Sequence, residues 1–542
     1  MTSRKKLLPN RALWHFGFRQ TRKGAIVIGL VVAGMLAIQA LGYNAAYPDE
    51  KARMQFAASM KEAPALGILY GEPDNLISAT GYMVYRVVPF FGLIAAIWSL
   101  STVTKLLRGQ EEDGRWEQIT AGATTARRAS GYLFLGFITA LLLAFVISSC
   151  ITFVACRLAG IDLSIASSTL INAAILLPGV VFGALGIVTS QLSVSRRRSM
   201  MYGLIPLLIF FVLRAFGNTI ESIHWLKYFT PFGWAELINP IARPELGWLA
   251  PFIITSVVLI PIALYFTGRR DLKDGLIKES NRATSHFYLL SSARAFAIRE
   301  NFGSFIGWSV ATIAVSAIIA AVSNVAAKSL ADSEGFSDVV GRLGGTLDDL
   351  RVAFIGTGLV FTVVILLLMA TQSMAAIRNT EAKNYIDNIL TQPLRRGSWL
   401  ISRLLIIIVT FTLISLLCGF ATWFMARGQG IPIDFTNFLL LNISLTGTVL
   451  FTLGVGTLLY GILPRLSTLV MYCVIAWSFV IDIIGTVISL PDIIIRSSLL
   501  HYVSLSPNQP PDWQTFTWLV VLGVGMMTLG IIAFSKRDII SE

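Results

Sequence analysis

Residues 131–156 read GYLFLGFITALLLAFVISSCITFVAC, 26 positions without a charge. As a helix this run rises about 39 Å, enough to cross a hydrocarbon core of about 30 Å. Just before it stands a stretch of opposite character, QEEDGRWEQITAGATTARR at 110–128. Glu111, Glu112, Asp113 and Glu117 crowd into seven of its positions, and Arg127 and Arg128 follow. Another apolar run, 82–104, precedes this acidic island. Long uncharged runs separated by short charged islands decide the fold class.

Working outward, twelve such runs are found: 24–42, 82–104, 131–156, 168–192, 200–216, 248–267, 304–325, 352–376, 404–426, 437–463, 467–490 and 515–534. The chain is 55% hydrophobic and 13% charged, whereas soluble domains carry about 25% charge. Lipid offers the backbone no partners, so each run is expected to be a helix that satisfies its own. The expected class is an all-α polytopic membrane protein. A cleaved signal peptide is not expected, because the first apolar run is too long for one and lacks a small-residue cleavage site. Cys150, Cys156, Cys418 and Cys473 all fall within runs and read as small buried hydrophobes. The four histidines are scattered, and no metal site is suggested.

Orientation follows from Lys and Arg. With the N-terminus inside, the inner segments hold 30 of the 43 basic residues and 12 of the 30 acids, and the outer segments hold 11 and 17. By the positive-inside rule both termini are cytoplasmic. The net charge of +13 suits an anionic inner leaflet, and no nucleic-acid partner is needed to explain it.

The chain is written twice. A shift of 270 lays Glu111 on Glu381, Glu117 on Asp387, Arg157 on Arg427, Gly160 on Gly430 and Ile161 on Ile431. A shift of 268 lays Leu185-Gly186 on Leu453-Gly454 and Arg197 on Arg465. YFTGRRDL at 265–272 matches AFSKRDI at 533–539. Six spans per half put both halves in the same orientation, a parallel repeat. The expected halves are 1–267 and 268–542, each opening on a basic amphipathic segment, RALWHFGFRQTRKG from 11 and about 286–302. Between the last two spans of the first half, 217–247 is rich in aromatics (Trp225, Tyr228, Phe229, Phe232, Trp234), suiting an interfacial belt or a re-entrant lid.

The island and its counterpart TEAKNYIDNILTQPLRR at 380–396 occupy matching inner loops. A loop resting on a negative leaflet should avoid clustered carboxylates, whereas a short helix facing a protein partner need not. Trp116 and Ile119 share one helix face, with Glu112 near its edge, and Pro393 ends the second helix.

The pattern EEDGRWEQITAGATTARR resembles the loop between spans two and three of ABC-2-type transporter permeases. It is most similar to the large two-repeat permeases called polyketide antibiotic or multidrug exporters. That motif runs roughly E-x-x-G-R-x-E-x-L-L-A-x-P-V-S-R. Here Glu111 or Glu112, Gly114, Arg115, Glu117 and Arg127 or Arg128 match it. In the second half Glu381, Asp387, Ile389, Leu390, Pro393 and Arg395 match. Ala123 stands where the motif has proline, and Asn384 and Tyr385 stand where the second copy would have Gly-Arg.

The resemblance implies twelve transmembrane helices as two parallel six-helix repeats of the ABC-2, or type V exporter, kind. It implies coupling helices at about 110–122 and 380–392, with Glu111, Glu112, Gly114, Arg115, Trp116, Glu117, Glu381, Asp387, Ile389 and Pro393 meeting two copies of a separate P-loop ATPase. The chain has no Gly-Lys dipeptide and so no P-loop of its own. It is therefore expected not to be an enzyme and to carry no cofactor, with Mg-ATP on the partner subunit. The implied role is export of hydrophobic or amphipathic compounds across a bacterial cytoplasmic (inner) membrane, with one permease chain per complex.

Charges inside spans are costly and usually functional. Arg86 can snorkel from an outer end. Arg214 and Asp482 hold the same repeat position and are expected to face each other as an intramembrane pair. The rival is a proton-coupled carrier of the major-facilitator type, whose loop motif Gly109, Asp113 and Arg115 partly echo. Its motif is basic where this island is acidic, and Asp482 is the only carboxylate within the spans.

Overall fold

The computed structural model describes residues 9–61, 70–120, 124–241, 243–269, 274–277, 288–289, 292–331, 347–382, 386, 395–485, 491–503, 507–508 and 510–537. Among them every regular element is helical. Eleven helices are long and apolar enough to cross a membrane. The remaining expected run, 304–325, lies inside a helix spanning Ala293–Ala331. The outward faces are apolar, as with Val27, Leu30, Ile253, Ile254 and Val257, which only lipid makes tolerable over so large an area. The protein is an α-helical, multi-pass membrane protein.

The chain forms two compact units, 1–283 and 284–542. In the first, α1 is Pro9–Ala46, α2 Glu50–Lys61 and α3 Ala79–Thr104. A two-turn helix α4, Arg115–Thr120, precedes α5 (Ala126–Leu158), α6 (Ile165–Leu192) and α7 (Arg196–Thr219). Short α8 (Pro231–Leu237) and α9 (Leu249–Thr267) complete it. The second unit holds α10 (Ala293–Ala331), α11 (Leu347–Ala382), α12 (Arg396–Gly428), α13 (Phe435–Ile462), α14 (Pro464–Gly485) and α15 (Trp513–Lys536).

Each unit pairs its helices in the same way. In the first, α1 packs on α5, α3 on α6, and α6 on α9. In the second, α10 packs on α12, α11 on α13, and α13 on α15. Small residues bring these backbones together, as membrane packing requires. Gly17 meets Leu133 and Gly29 meets Ala144, so α1 and α5 run parallel. Gly523 lies on Leu450 and Gly454, and Gly530 on Thr457 and Gly461. That seven-residue spacing keeps one seam facing its partner. A Cβ at Gly530 would come within 2.4 Å of the Thr457 carbonyl oxygen, whereas Gly525 on the same helix has nothing within 4 Å. Gly530→Ala is expected to lower stability by about 1–3 kcal/mol. Gly525→Ala is expected to hold or gain about 0.5–1 kcal/mol. Thermal unfolding of both variants in detergent checks the contrast.

The matched residues at Arg157/Arg427, Gly160/Gly430 and Ile161/Ile431 prove to be helix stops. Gly160 and Gly430 have φ of +70° and +71°. The Ile161 N–H donates to the Cys156 carbonyl (2.9 Å) and the Ile431 N–H to that of Ala426 (3.0 Å). This is the C-terminal closure that a left-handed residue permits. Ser164 and Asp434, again 270 apart, then cap the next helices by accepting from the Ser167 and Asn437 backbones.

Residues 11–23 are the first turns of α1, with Trp14 and Phe18 against Gly136, and residues 293–302 are the first turns of α10, where Glu300 pairs with Arg403 of α12. The two compact units divide at 283/284. Leu276 and Ile277 donate to the Gln191 and Leu192 carbonyls at the end of α6, where a helix has unmet acceptors. In 217–247, Phe232 and Trp234 enter the core of the first unit while Trp225 and Phe229 face outward.

Candidate functional site

The acidic island begins where α3 passes through a π-turn, Lys105–Gly109, into the single turn Gln110–Glu112. Arg108 sits there, 1% exposed. It donates to Glu111 Oε2 (2.9 Å), the Val194 carbonyl (2.7 Å) and the Asp274 carbonyl (3.1 Å). Glu112 accepts from the backbone N–H of Arg196 (2.7 Å), the first residue of α7. A carboxylate at that position meets an orphan donor and the positive end of the helix dipole. The chain then reverses at Gly114, whose φ of +71° is costly for any side chain with a Cβ. The two turns of α4 follow. Trp116 is 4% exposed and in the core, with Ile119 packed against it. Arg115, Glu117 and Gln118 point outward. Arg127 leaves the island, donating to the Tyr265 carbonyl (3.3 Å) at the end of α9.

The counterpart in the second unit is built on the same plan with different partners. Arg378 donates to the Arg465 carbonyl (3.2 Å) at the start of α14, as Arg108 does just before α7. Glu381 is 2% exposed. It accepts from the Tyr460 hydroxyl (2.5 Å) and from two nitrogens of Arg537 (2.8 Å each). Ile386 is fully buried. Asp387, Ile389 and Pro393 lie outside the described residues.

The residues predicted for this site therefore divide. Glu111, Trp116 and Glu381 face the interior of their own units and fasten the loop. Gly114 makes the turn, Glu112 caps α7, and Arg115 and Glu117 are presented on the outside. The sequence reading missed Arg108, Arg378, Tyr460 and Arg537. Arg108 and Arg378 were findable, being 270 apart and each three residues before its glutamate.

At the other end of α3, about 35 Å away, lies a second polar cluster. Arg214, fully buried on α7, forks onto Glu236 of α8, with Nε at 2.5 Å from Oε1. Asn218 donates to the other oxygen, Oε2 (2.8 Å). Arg214 thus binds Glu236 within its own unit. Asp482 is half-buried near the end of α14. Glu72 binds both Lys227 and His224 at 2.7 Å. Burial pushes the Glu72 carboxyl up, but the bonds from Lys227 and His224 outweigh it and hold it below its usual range. Arg86 reaches Tyr70 and Tyr82 in the same region.

Residues 74–268 and 290–535 match the family model described as the multidrug efflux system permease Rv1217c, C-terminal domain. The multidrug efflux system permease protein Rv1217c of Mycobacterium tuberculosis (strain ATCC 25618 / H37Rv) is 26% identical over 502 residues, covering 91% of this chain and 88% of that protein.

Proposed function

This chain belongs to the family of multidrug efflux system permeases, and from that premise we propose that it is the membrane-spanning subunit of an ABC-2-type exporter. In this reading twelve spans form two parallel six-helix repeats with both termini in the bacterial cytoplasm. Two copies of a separate P-loop ATPase bind Mg-ATP and drive one permease chain. The cargo is hydrophobic or amphipathic, because the spans offer few polar groups. The family match does not favour an ion-driven carrier acting through Asp482.

The observation that carries the reading is the repeated anchoring of one inner loop. In each unit an arginine ties that loop to the start of another span, and a buried glutamate stands three residues after it. Arg108 and Glu112 join the loop to the beginning of α7, and Arg378 joins its counterpart to the beginning of α14. Buried, fully partnered charges hold one geometry tightly, since separating them strands a charge. A push on outward-facing α4 is then carried into two spans at once. Closure of the ATPase subunits would tilt the spans and change the side from which a cavity opens.

The test is to isolate the tagged chain from its host membrane and measure mass and ATP hydrolysis. One chain with two P-loop subunits is expected. A chain that stays alone after crosslinking overturns the reading. Arg115→Glu with Glu117→Lys is expected to cut cargo-stimulated ATPase at least tenfold. Unfolding should move by no more than about 0.5 kcal/mol, as for other exposed positions. Unchanged stimulation would remove α4 from the coupling path.

A further inference from the structure

The polar cluster around Arg214 opens onto a cavity of about 180 Å³ within the first unit. We propose that this cavity is a receptor for an organic ammonium group. Its size comes first. A drug-sized ligand needs about 300–1,000 Å³, whereas roughly 150 Å³ holds a benzene-sized fragment. The cavity therefore suits one end of a molecule.

Its charge comes second. Glu72, Asp74, Glu236 and Glu245 line it, against Lys227 as the single lining cation. Lys227 is taken by Glu72, and Arg214 reaches Glu236 from the protein side. Asp74 and Glu245 accept only from neutral groups, the Asn239 amide (2.7 Å) and the Trp248 indole (3.0 Å). Among the described residues these two carboxylates meet no cation.

The hydrogen-bond balance comes third and decides the chemistry. Two buried lining atoms, Asn218 Oδ1 and the Tyr85 hydroxyl, have no partner. The Asn218 amide cannot be turned round, because its Nδ2 donates to Glu236 and a carboxylate only accepts. Oδ1 therefore asks for a donor. Tyr85 is 5% exposed and shares a wall with Pro89, which has no N–H to give the Tyr85 carbonyl. The ring of Tyr70, which carries Arg86 over one face, lies 5.2 Å from that of Tyr85, and aromatic faces attract cations. An occupant with positive charge and several N–H donors meets all three demands. A metal ion fits poorly, since among the described residues no three acids, histidines or cysteines group as ligands.

That the ammonium belongs to an exported compound rests on the reading above; that the cavity takes it does not. The experiment uses the full chain in nanodiscs of zwitterionic lipid, without ATPase. The ¹⁹F line of 2-fluoroethylammonium is followed beside that of neutral 2-fluoroethanol. Broadening of the ammonium line alone is expected. Tyr85→Phe, which keeps the ring and its packing, is expected to weaken binding about tenfold, and Asn218→Leu at least as much. Equal broadening of both probes overturns the proposal. So does displacement by equimolar potassium chloride, or unchanged binding in Tyr85→Phe. Ammonium binding by a chain that captures no ATPase from its host membrane would count against the exporter reading and leave the cavity assignment standing.

Discussion

Arg537→Met is expected to be the most destabilising single change in the second unit, at about 3–5 kcal/mol. Arg537 follows the last turn of α15 and holds Glu381 at the end of α11 through two 2.8 Å contacts. Glu381 is 2% exposed. Without the guanidinium its charge loses both contacts, and a neutral donor such as the Tyr460 hydroxyl does not repay the dehydration of a carboxylate. Removing both charges should be far milder, because an apolar pair of similar volume often equals or exceeds a buried ion pair. Glu381→Leu with Arg537→Met should therefore recover most of the loss. Unfolding in detergent, followed by near-UV dichroism, measures all three proteins. A single variant as stable as the parent would mean that Glu381 finds water there.

The second large effect is expected at Glu236, and it should be asymmetric. Glu236→Leu leaves Arg214 at zero exposure with a charge it cannot shed, since guanidinium does not deprotonate in proteins. Arg214→Met leaves Glu236, which is 17% exposed and can hydrate or take up a proton. The expected costs are about 4–5 kcal/mol for the first and about 2–3 kcal/mol for the second. Equal costs would place the energy in packing rather than charge. The same unfolding assay separates the cases, and the double variant should again lie above both singles.

These pairs show why the two acidic loops were only half legible. An acid in a short loop between two spans reads as exposed, because water is near and no partner is in view. The burial of Glu111 depends on Arg108 being on the same turn, which the three-residue spacing could have revealed. The burial of Glu381 depends on Arg537, 156 positions away in the chain, and no local pattern reports that. Glu236, which binds Arg214, was not legible as a partner, because it lies in a segment that read as an interfacial aromatic belt.

Other features were written locally and were read locally. Gly160 and Gly430 stop their helices because a left-handed residue closes the last turn, and the neighbours that complete the closure sit beside them. Apolar runs longer than a bilayer is thick made helices wherever they occur, because no other backbone arrangement satisfies itself in lipid. Chain length and composition thus determined an α-helical multi-pass protein. Tertiary structure alone decided which charges fasten the loops and which face outward. It also extended the basic segments into α1 and α10, and enclosed Tyr85 and Asn218 in a cavity. The physical reason is range: a helix depends on partners four residues away, whereas a buried charge takes whatever counter-charge the packed fold delivers.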